Sequence, residues 1–136
     1  MHSTSTALCA AFALSIAMTS AMEARPLRLI STNTQALSAK DAGIRYGEAA
    51  GAVLVCQSLR ITPRVAELRG RYQGADLEEF DAQAGKILKA WQESLSCQHA
   101  NAPMDCMVSQ RWSCQQAIRE IGPSGTAVRG LVEPKE

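Results

Sequence analysis

The sequence predicts an all-α fold, a small disulfide-stapled bundle of about four helices with an irregular N-terminal leader and an irregular C-terminal tail. Apolar residues recur at spacings of three and four along most of the chain, which is the period of a helix with one buried face. The segments with this period begin or end at the Ser, Thr, Pro and Gly residues that are typical of helix ends. No stretch of five or more residues alternates between apolar and polar side chains, so no sheet is predicted.

The N-terminus resembles a secretory signal peptide. The first 22 residues contain no Lys, Arg, Asp or Glu, and an apolar run of 12 residues, ALCAAFALSIAM, occupies 7–18. A membrane span needs about 20 residues, so this run suits the apolar core of a signal peptide better. Small residues precede Ala21, and we predict that 1–21 are removed there. The alternatives are a cut after Ala24 or a buried N-terminal helix, which the lack of basic residues before the run would favour.

Removal of the signal peptide also removes Cys9. Four cysteines remain: Cys56, Cys97, Cys106 and Cys114. An even number of cysteines in a small exported chain indicates two disulfides, because oxidising compartments preserve such bonds. Composition alone permits three pairings. The helix positions given below favour Cys97–Cys106 across a helix–helix turn, and Cys56–Cys114 between the first and last helices.

The polar segment 22–40 has no sustained period and is the predicted leader. The helical domain is predicted over 41–122. Ser38 and Asp41 resemble a capping box, in which a hydroxyl and a carboxyl three residues apart cap a helix start. They predict a first helix over about 41–59.

Two further helices follow, each with its own start signal. Thr62-Pro63 combines a hydroxyl cap with proline at the first helical position, and predicts a short helix over about 63–72. Asp76 and Glu79 form a second capping-box pattern, which predicts a third helix over about 77–97. This third segment has the clearest apolar stripe in the chain.

The fourth helix is predicted over about 103–121, with Pro103 in its first turn. Gly122-Pro123 ends it, and 123–136 form the predicted irregular tail. The expected inner face of this helix consists of Met107, Cys114, Ile118 and Ile121.

Gly43, Gly47 and Gly51 recur every four residues within the first helix. Each glycine costs about 1 kcal/mol there relative to alanine, so a close approach by another group is expected to offset the cost. Packing within the chain is the favoured explanation, ahead of a homodimer or partner groove and of a small-molecule cleft.

The most basic region surrounds the short second helix. Its residues are Arg60, Arg64, Arg69 and Arg71. This patch is interpreted either as a solvated helix face or as a contact for an anionic surface or an acidic protein. Together with the three glycines it forms the candidate interaction face.

The weak candidates for a soft metal site are His99 and Met104, near Cys97, Cys106 and Met107, because imidazole, thioether and thiolate ligands suit copper or zinc. Zinc sites usually bring cysteines in CxxC pairs, whereas the gaps here are longer and Cys97 and Cys106 are expected to bond to each other. We therefore predict no metal and no cofactor.

Enzymatic chemistry is not expected. The chain lacks the GxSxG, HExxH and CxxCH motifs. The acidic cluster of Glu78, Glu79 and Asp81 falls in the first turns of a helix, where acids offset the helix dipole.

The balance of charges and the low aromatic content make a nucleic-acid partner improbable. The chain has 14 basic and 13 acidic residues and 4% aromatic residues, which argues against nucleic-acid binding. Its general look is that of small exported helical proteins of bacteria. We expect a periplasmic or secreted, non-enzymatic binding module, with no membrane span in the mature chain. Its partner is expected to be a protein, an anionic surface or a second copy; the alternative is a small-ligand or soft-metal carrier of the periplasm.

Overall fold

The computed structural model describes residues 36–136, and these contain four helices and a small sheet. In chain order the elements are α1 (Ala39–Val55), β1 (Leu59–Ile61), α2 (Arg64–Arg69), α3 (Gly74–Leu95), α4 (Pro103–Ile121) and β2 (Val132–Pro134). The predicted all-α bundle is confirmed. None of these four helices has the length and apolar character that a bilayer span requires. The predicted signal peptide and most of the leader lie outside the described residues.

The capping pattern at the start of α1 is confirmed. The backbone N–H of Asp41 donates to Ser38 Oγ at 3.0 Å, and helix α1 begins at Ala39, two residues before the predicted start. It ends at Val55, earlier than predicted, because the chain turns there and Leu59 enters a strand.

The second and third helices differ from prediction at their ends. Helix α2 is shorter than predicted, and Thr62 Oγ1 both accepts from the Arg64 N–H at 3.3 Å and donates to the carbonyl oxygen of Gly130 at 2.6 Å. The capping box predicted at Asp76 is wrong, since α3 already begins at Gly74. Gly74 has φ +55°, a conformation that glycine adopts at little cost. Asp76 lies instead in the first turn of α3, where its charge offsets the helix dipole.

Helix α1 packs along α3, and the core lies between them and the ends of α4 and β2. Phe80 of α3 is fully buried, with the rings of Tyr46 and Tyr72 centred 5.2 Å and 5.3 Å from its own. The largest fully buried side chains are Phe80, Leu59, Ile121, Leu131 and Val132. Two of these five belong to the C-terminal tail, which is therefore part of the core.

The prediction that the chain contains no sheet is wrong. Strands β1 and β2 pair antiparallel, with Leu59 opposite Pro134 and Ile61 opposite Val132. The tail reaches β1 by folding back over the end of α4, where the Leu131 N–H donates to the Ile121 carbonyl oxygen at 2.8 Å. Strands of three residues are too short to show the alternation by which strands are recognised.

Helix α4 has the predicted bounds but turns a different face to the core. Ile121 is fully buried, as predicted, and Cys114 is half-buried. Met107 and Ile118 were expected on the inner face, but Met107 is 53% exposed and Ile118 is 38% exposed. The buried residues of α4, Ala117 and Ile121, both lie in its C-terminal half, so Met107 belongs to the half of the helix that buries no residue, and Ile118 lies off the buried face.

Two disulfides join the helices with the pairing that the sequence favours. Cys56 and Cys114, with Cα atoms 5.9 Å apart, connect the end of α1 to the middle of α4. Cys97 and Cys106, at 5.7 Å, close the turn between α3 and α4. Disulfides are typical of oxidising, extracytoplasmic compartments.

Candidate functional site

The glycine face of α1 is covered within the chain. A β carbon added to Gly43, Gly47 or Gly51 would lie within 3.0 Å of an atom of α3. The obstructing groups are the carbonyl oxygens of Phe80 and Ala84 and the side chain of Trp91. The three glycines therefore allow α3 to approach α1 closely, and they leave no open groove for a partner or a small molecule.

The arginine patch is partly neutralised by ion pairs. Arg60 Nε donates to Glu133 Oε1 at 2.8 Å, and Arg69 makes two hydrogen bonds to the Asp81 carboxylate at 2.9 Å and 2.6 Å. These hydrogen bonds, with the charge of the guanidinium, hold the pKa of Asp81 below its ordinary value. Within residues 36–136, Arg64 and Arg71 are exposed and form no ion pair. The basic surface is thus smaller than the sequence indicates.

His99 and Met104, the weak metal candidates, lie at the turn between α3 and α4. His99 is exposed, Met104 is 72% exposed, and the neighbouring sulfurs of Cys97 and Cys106 are bonded to each other. Thiolates are the form of cysteine that binds soft metals, and a disulfide offers none. In the described part of the chain, no group of three or more His, Cys, Asp or Glu side chains has a metal-binding arrangement.

A charged network that the sequence did not indicate joins α1 to α4. Glu48 is 8% exposed and is the buried charged residue among those described. Arg45 Nη1 donates to Glu48 Oε2 at 2.8 Å and also to Glu120 Oε2. Gln116 Nε2 donates to the other oxygen of Glu120 at 2.8 Å. Glu48 thus has its partner, Arg45, within α1, and the Arg45–Glu120 pair is the link between α1 and α4.

The two carboxyl groups of this network have opposite pKa shifts. Burial raises the pKa of Glu48 above its ordinary value of 4.5, despite the nearby guanidinium of Arg45. The hydrogen bond from Gln116, and then the guanidinium of Arg45, lower the pKa of Glu120. We therefore expect the free energy of unfolding to depend on pH through these two carboxyl groups.

The groove beside this network is small. It holds about 260 Å³ and is walled by apolar side chains that include Ile87 and Trp91. Small-molecule sites are typically clefts of about 300–1,000 Å³. No histidine or cysteine lines it, and its two carboxylates share one guanidinium. The arrangement suits helix–helix attachment better than ligand storage or catalysis.

The outer face of α4 carries an exposed apolar strip, which we call the α4 stripe. It consists of Met104, Met107, Val108, Trp112 and Ile118. Trp112 is 63% exposed, although tryptophan is among the residues most often buried at interfaces. The spacing of four residues from Met104 to Val108 and from Val108 to Trp112 marks one helix face. That spacing is present in the sequence, but it is the signal of any buried helix face and cannot show that this face lies in solvent.

Comparison of the chain with models of known protein families, with characterised proteins and with solved structures finds no match. A function must therefore be argued from the exposed surfaces and their chemistry.

Proposed function

We propose that this protein is an exported, non-enzymatic binding module that uses the α4 stripe to hold another polypeptide. One observation carries the proposal: Trp112 and four other apolar side chains are exposed together on one helix, while Phe80 and Ile121 are fully buried. Among the described residues Leu54 and Ile61 are also exposed, but they belong to separate elements, whereas these five lie together on one helix and expose their apolar surface to water. Exposed apolar strips of this kind mark interaction sites more often than chance placement.

The shape of the α4 stripe favours a macromolecular partner. It runs along a helix of 19 residues, which is about 28 Å long at 1.5 Å per residue. Helix-to-helix and helix-in-groove contacts use such strips, with anchors at spacings of three and four. A small molecule would need a concave site, whereas this stripe stands on the convex outer side of α4. Methionine and tryptophan are also enriched in the cores of protein interfaces.

The disulfides support the exported part of the proposal. Both are formed from cysteines beyond residue 21, so a chain without the signal peptide retains its two bonds. The periplasm or the extracellular medium is where such bonds persist. Arg64 and Arg71, which are exposed in α2 and in the turn after it, supply a secondary contact for an anionic surface.

Export is tested by expressing the full chain in a bacterium and measuring the intact mass of the product in each cell fraction. We expect a periplasmic or secreted chain that begins at Met22, or at Arg25 if the cut follows Ala24. Thiol titration after unfolding should find no free thiol. A cytoplasmic product that retains 1–21 with reduced cysteines would overturn the exported part of the proposal.

Binding is tested by site-specific photocrosslinking in the cells that naturally make the protein. A photoreactive phenylalanine analogue replaces Val108 in the α4 stripe, and a control replaces Lys89, which is exposed on α3. We expect a discrete crosslinked product from position 108 and none from position 89. The product should disappear when Trp112→Glu is added. Absence of any discrete product from position 108 would contradict the binding role.

A further inference from the structure

We infer that the α4 stripe pairs with the same stripe of a second copy, so that two α4 helices lie antiparallel across a two-fold axis near Trp112. The inference rests on the proposed function, because it takes the stripe to be a docking surface and assigns its occupant. It is carried by the arrangement of charged and apolar side chains along the helix.

Two opposite charges stand at equal distances on either side of Trp112. Asp105 precedes it by seven residues and Arg119 follows it by seven. Seven residues bring a helix back to nearly the same face, with a drift of about 20°. Both side chains are exposed, and neither takes part in an ion pair within residues 36–136.

An antiparallel pair centred on Trp112 uses both charges. In that arrangement Asp105 of each copy lies opposite Arg119 of the other, so the contact has two ion pairs. A parallel pair would place Asp105 beside Asp105 and Arg119 beside Arg119, which is unfavourable. Asp105 and Arg119 therefore favour the antiparallel orientation for a partner of identical sequence. The third exposed charge of this face, Arg111, adjoins Trp112 and lies near the axis in either orientation, so it does not distinguish between them.

The distribution of apolar residues along α4 also favours antiparallel pairing. The N-terminal half of the stripe carries Met104, Met107 and Val108, whereas the C-terminal half has Ile118 as its large apolar residue. Antiparallel pairing lays the more apolar half of each copy over the less apolar half of the other. Two Trp112 rings meet near the axis, where an aromatic anchor is most effective.

The rest of the fold holds α4 ready for this contact. Disulfides attach it at Cys106 and Cys114, while Ala117 and Ile121 face the core. Val108 and Trp112 lie on the opposite side of the helix from these attachments, whereas Met107 and Ile118 lie at the edge of the stripe nearer to Cys114. A helix held in this way loses little conformational freedom on association, which favours binding.

The test is sedimentation equilibrium of the mature, disulfide-bonded protein over about 1–500 µM, a range suited to a micromolar dimer. We expect a monomer–dimer equilibrium for the natural sequence. Trp112→Glu should be monomeric throughout this range. Asp105→Arg and Arg119→Asp should each weaken association roughly fivefold to tenfold, because each substitution acts twice across a two-fold axis.

The double variant Asp105→Arg/Arg119→Asp is the decisive arm, since it exchanges the two charges and should restore association to near the natural level. Lys89→Glu, on the exposed face of α3, is the matched charge change and should leave association unchanged. Circular dichroism verifies that each variant is folded. Failure of the double variant to recover would overturn the antiparallel register.

The outcome also separates this inference from the proposed function. A natural protein that stays monomeric at all concentrations overturns the dimer. If the Val108 crosslink then joins the chain to a different protein, the binding role stands without the dimer. If the crosslinked product has twice the mass of the chain, both stand; if neither dimer nor crosslink forms, both fall.

Discussion

The carbonyl oxygen of Ala84 on α3 occupies the space where a side chain at Gly47 on α1 would begin. One turn earlier the carbonyl oxygen of Phe80 stands in the same relation to Gly43, and one turn later the side chain of Trp91 occupies the space beside Gly51. Gly43 and Gly47 are thus required by the distance between the two helix backbones, and Gly51 by the position of the Trp91 side chain. Close packing between these helices offsets the propensity cost of about 1 kcal/mol for each glycine.

Gly47→Ala should therefore destabilise the fold. An added β carbon would lie within 3.0 Å of a backbone oxygen that cannot move without displacing α3. We expect a loss of about 2–3 kcal/mol in the free energy of unfolding, measured by urea denaturation. Gly85→Ala is the control: an added β carbon there meets nothing within 4 Å. It should raise the free energy of unfolding by about 0.5–1 kcal/mol through helix propensity. Equal effects at the two positions would contradict the close-packing explanation.

The two disulfides should contribute different amounts to the free energy of unfolding. Cys56–Cys114 closes a separation of 58 residues and Cys97–Cys106 one of 9. In the loop-entropy account these closures are worth about 4 and about 2–3 kcal/mol. Replacing Cys56 and Cys114 by alanine should therefore lower the free energy of unfolding more than replacing Cys97 and Cys106. Urea denaturation of the two double variants measures the difference, and the reverse order would show that the longer closure does not dominate.

The charged network should give stability two opposite pH dependences. Glu48 has a raised pKa, so the folded state binds more protons than the unfolded chain just above pH 4.5, and the free energy of unfolding falls as pH rises through that window. Glu120 has a lowered pKa, so its contribution is present above pH 4.5 and is lost as pH falls below it.

Two isosteric variants separate these contributions. Glu48→Gln should lack the decline in stability above pH 4.5, and Glu120→Gln should lack part of the decline below it. The measurement is urea denaturation between about pH 3 and pH 7. If Glu48→Gln shows the same dependence as the natural protein above pH 4.5, burial is not what controls the titration of Glu48.

The C-terminal tail should be essential for folding. Leu131 is 1% exposed and packs in the core, so Leu131→Ala should cost about 2–5 kcal/mol in the free energy of unfolding. Leu54→Ala removes the same atoms from a side chain that is 61% exposed, and its effect should stay within about 0.5 kcal/mol. A small effect at Leu131 would show that the tail can detach without loss of the bundle.

The helices and the two disulfide pairings could be predicted from local signals in the sequence. The Ser38 cap and the proline at 103 are readable because a helix start depends on the few residues around it. The pairing of Cys56 with Cys114 followed from the helix positions, since only suitably placed cysteines can bond. The predicted start of α3 at Asp76 was wrong because Gly74 adopts a positive φ and the helix begins there. A capping pattern of side chains gives no information about this backbone freedom of glycine.

Which surfaces remain exposed could not be predicted from local patterns. The spacing of Met104, Val108 and Trp112 indicates one helix face, but whether that face is buried depends on which elements lie beside it. The pairing of Leu59 with Pro134 likewise joins segments far apart in sequence and too short to carry a period. Helix ends and disulfide partners thus follow from residues close to them in the chain. The burial of the C-terminal tail, the charged contact between α1 and α4 and the exposed face of α4 depend on the assembled fold, because a residue is buried by neighbours that it meets only after folding.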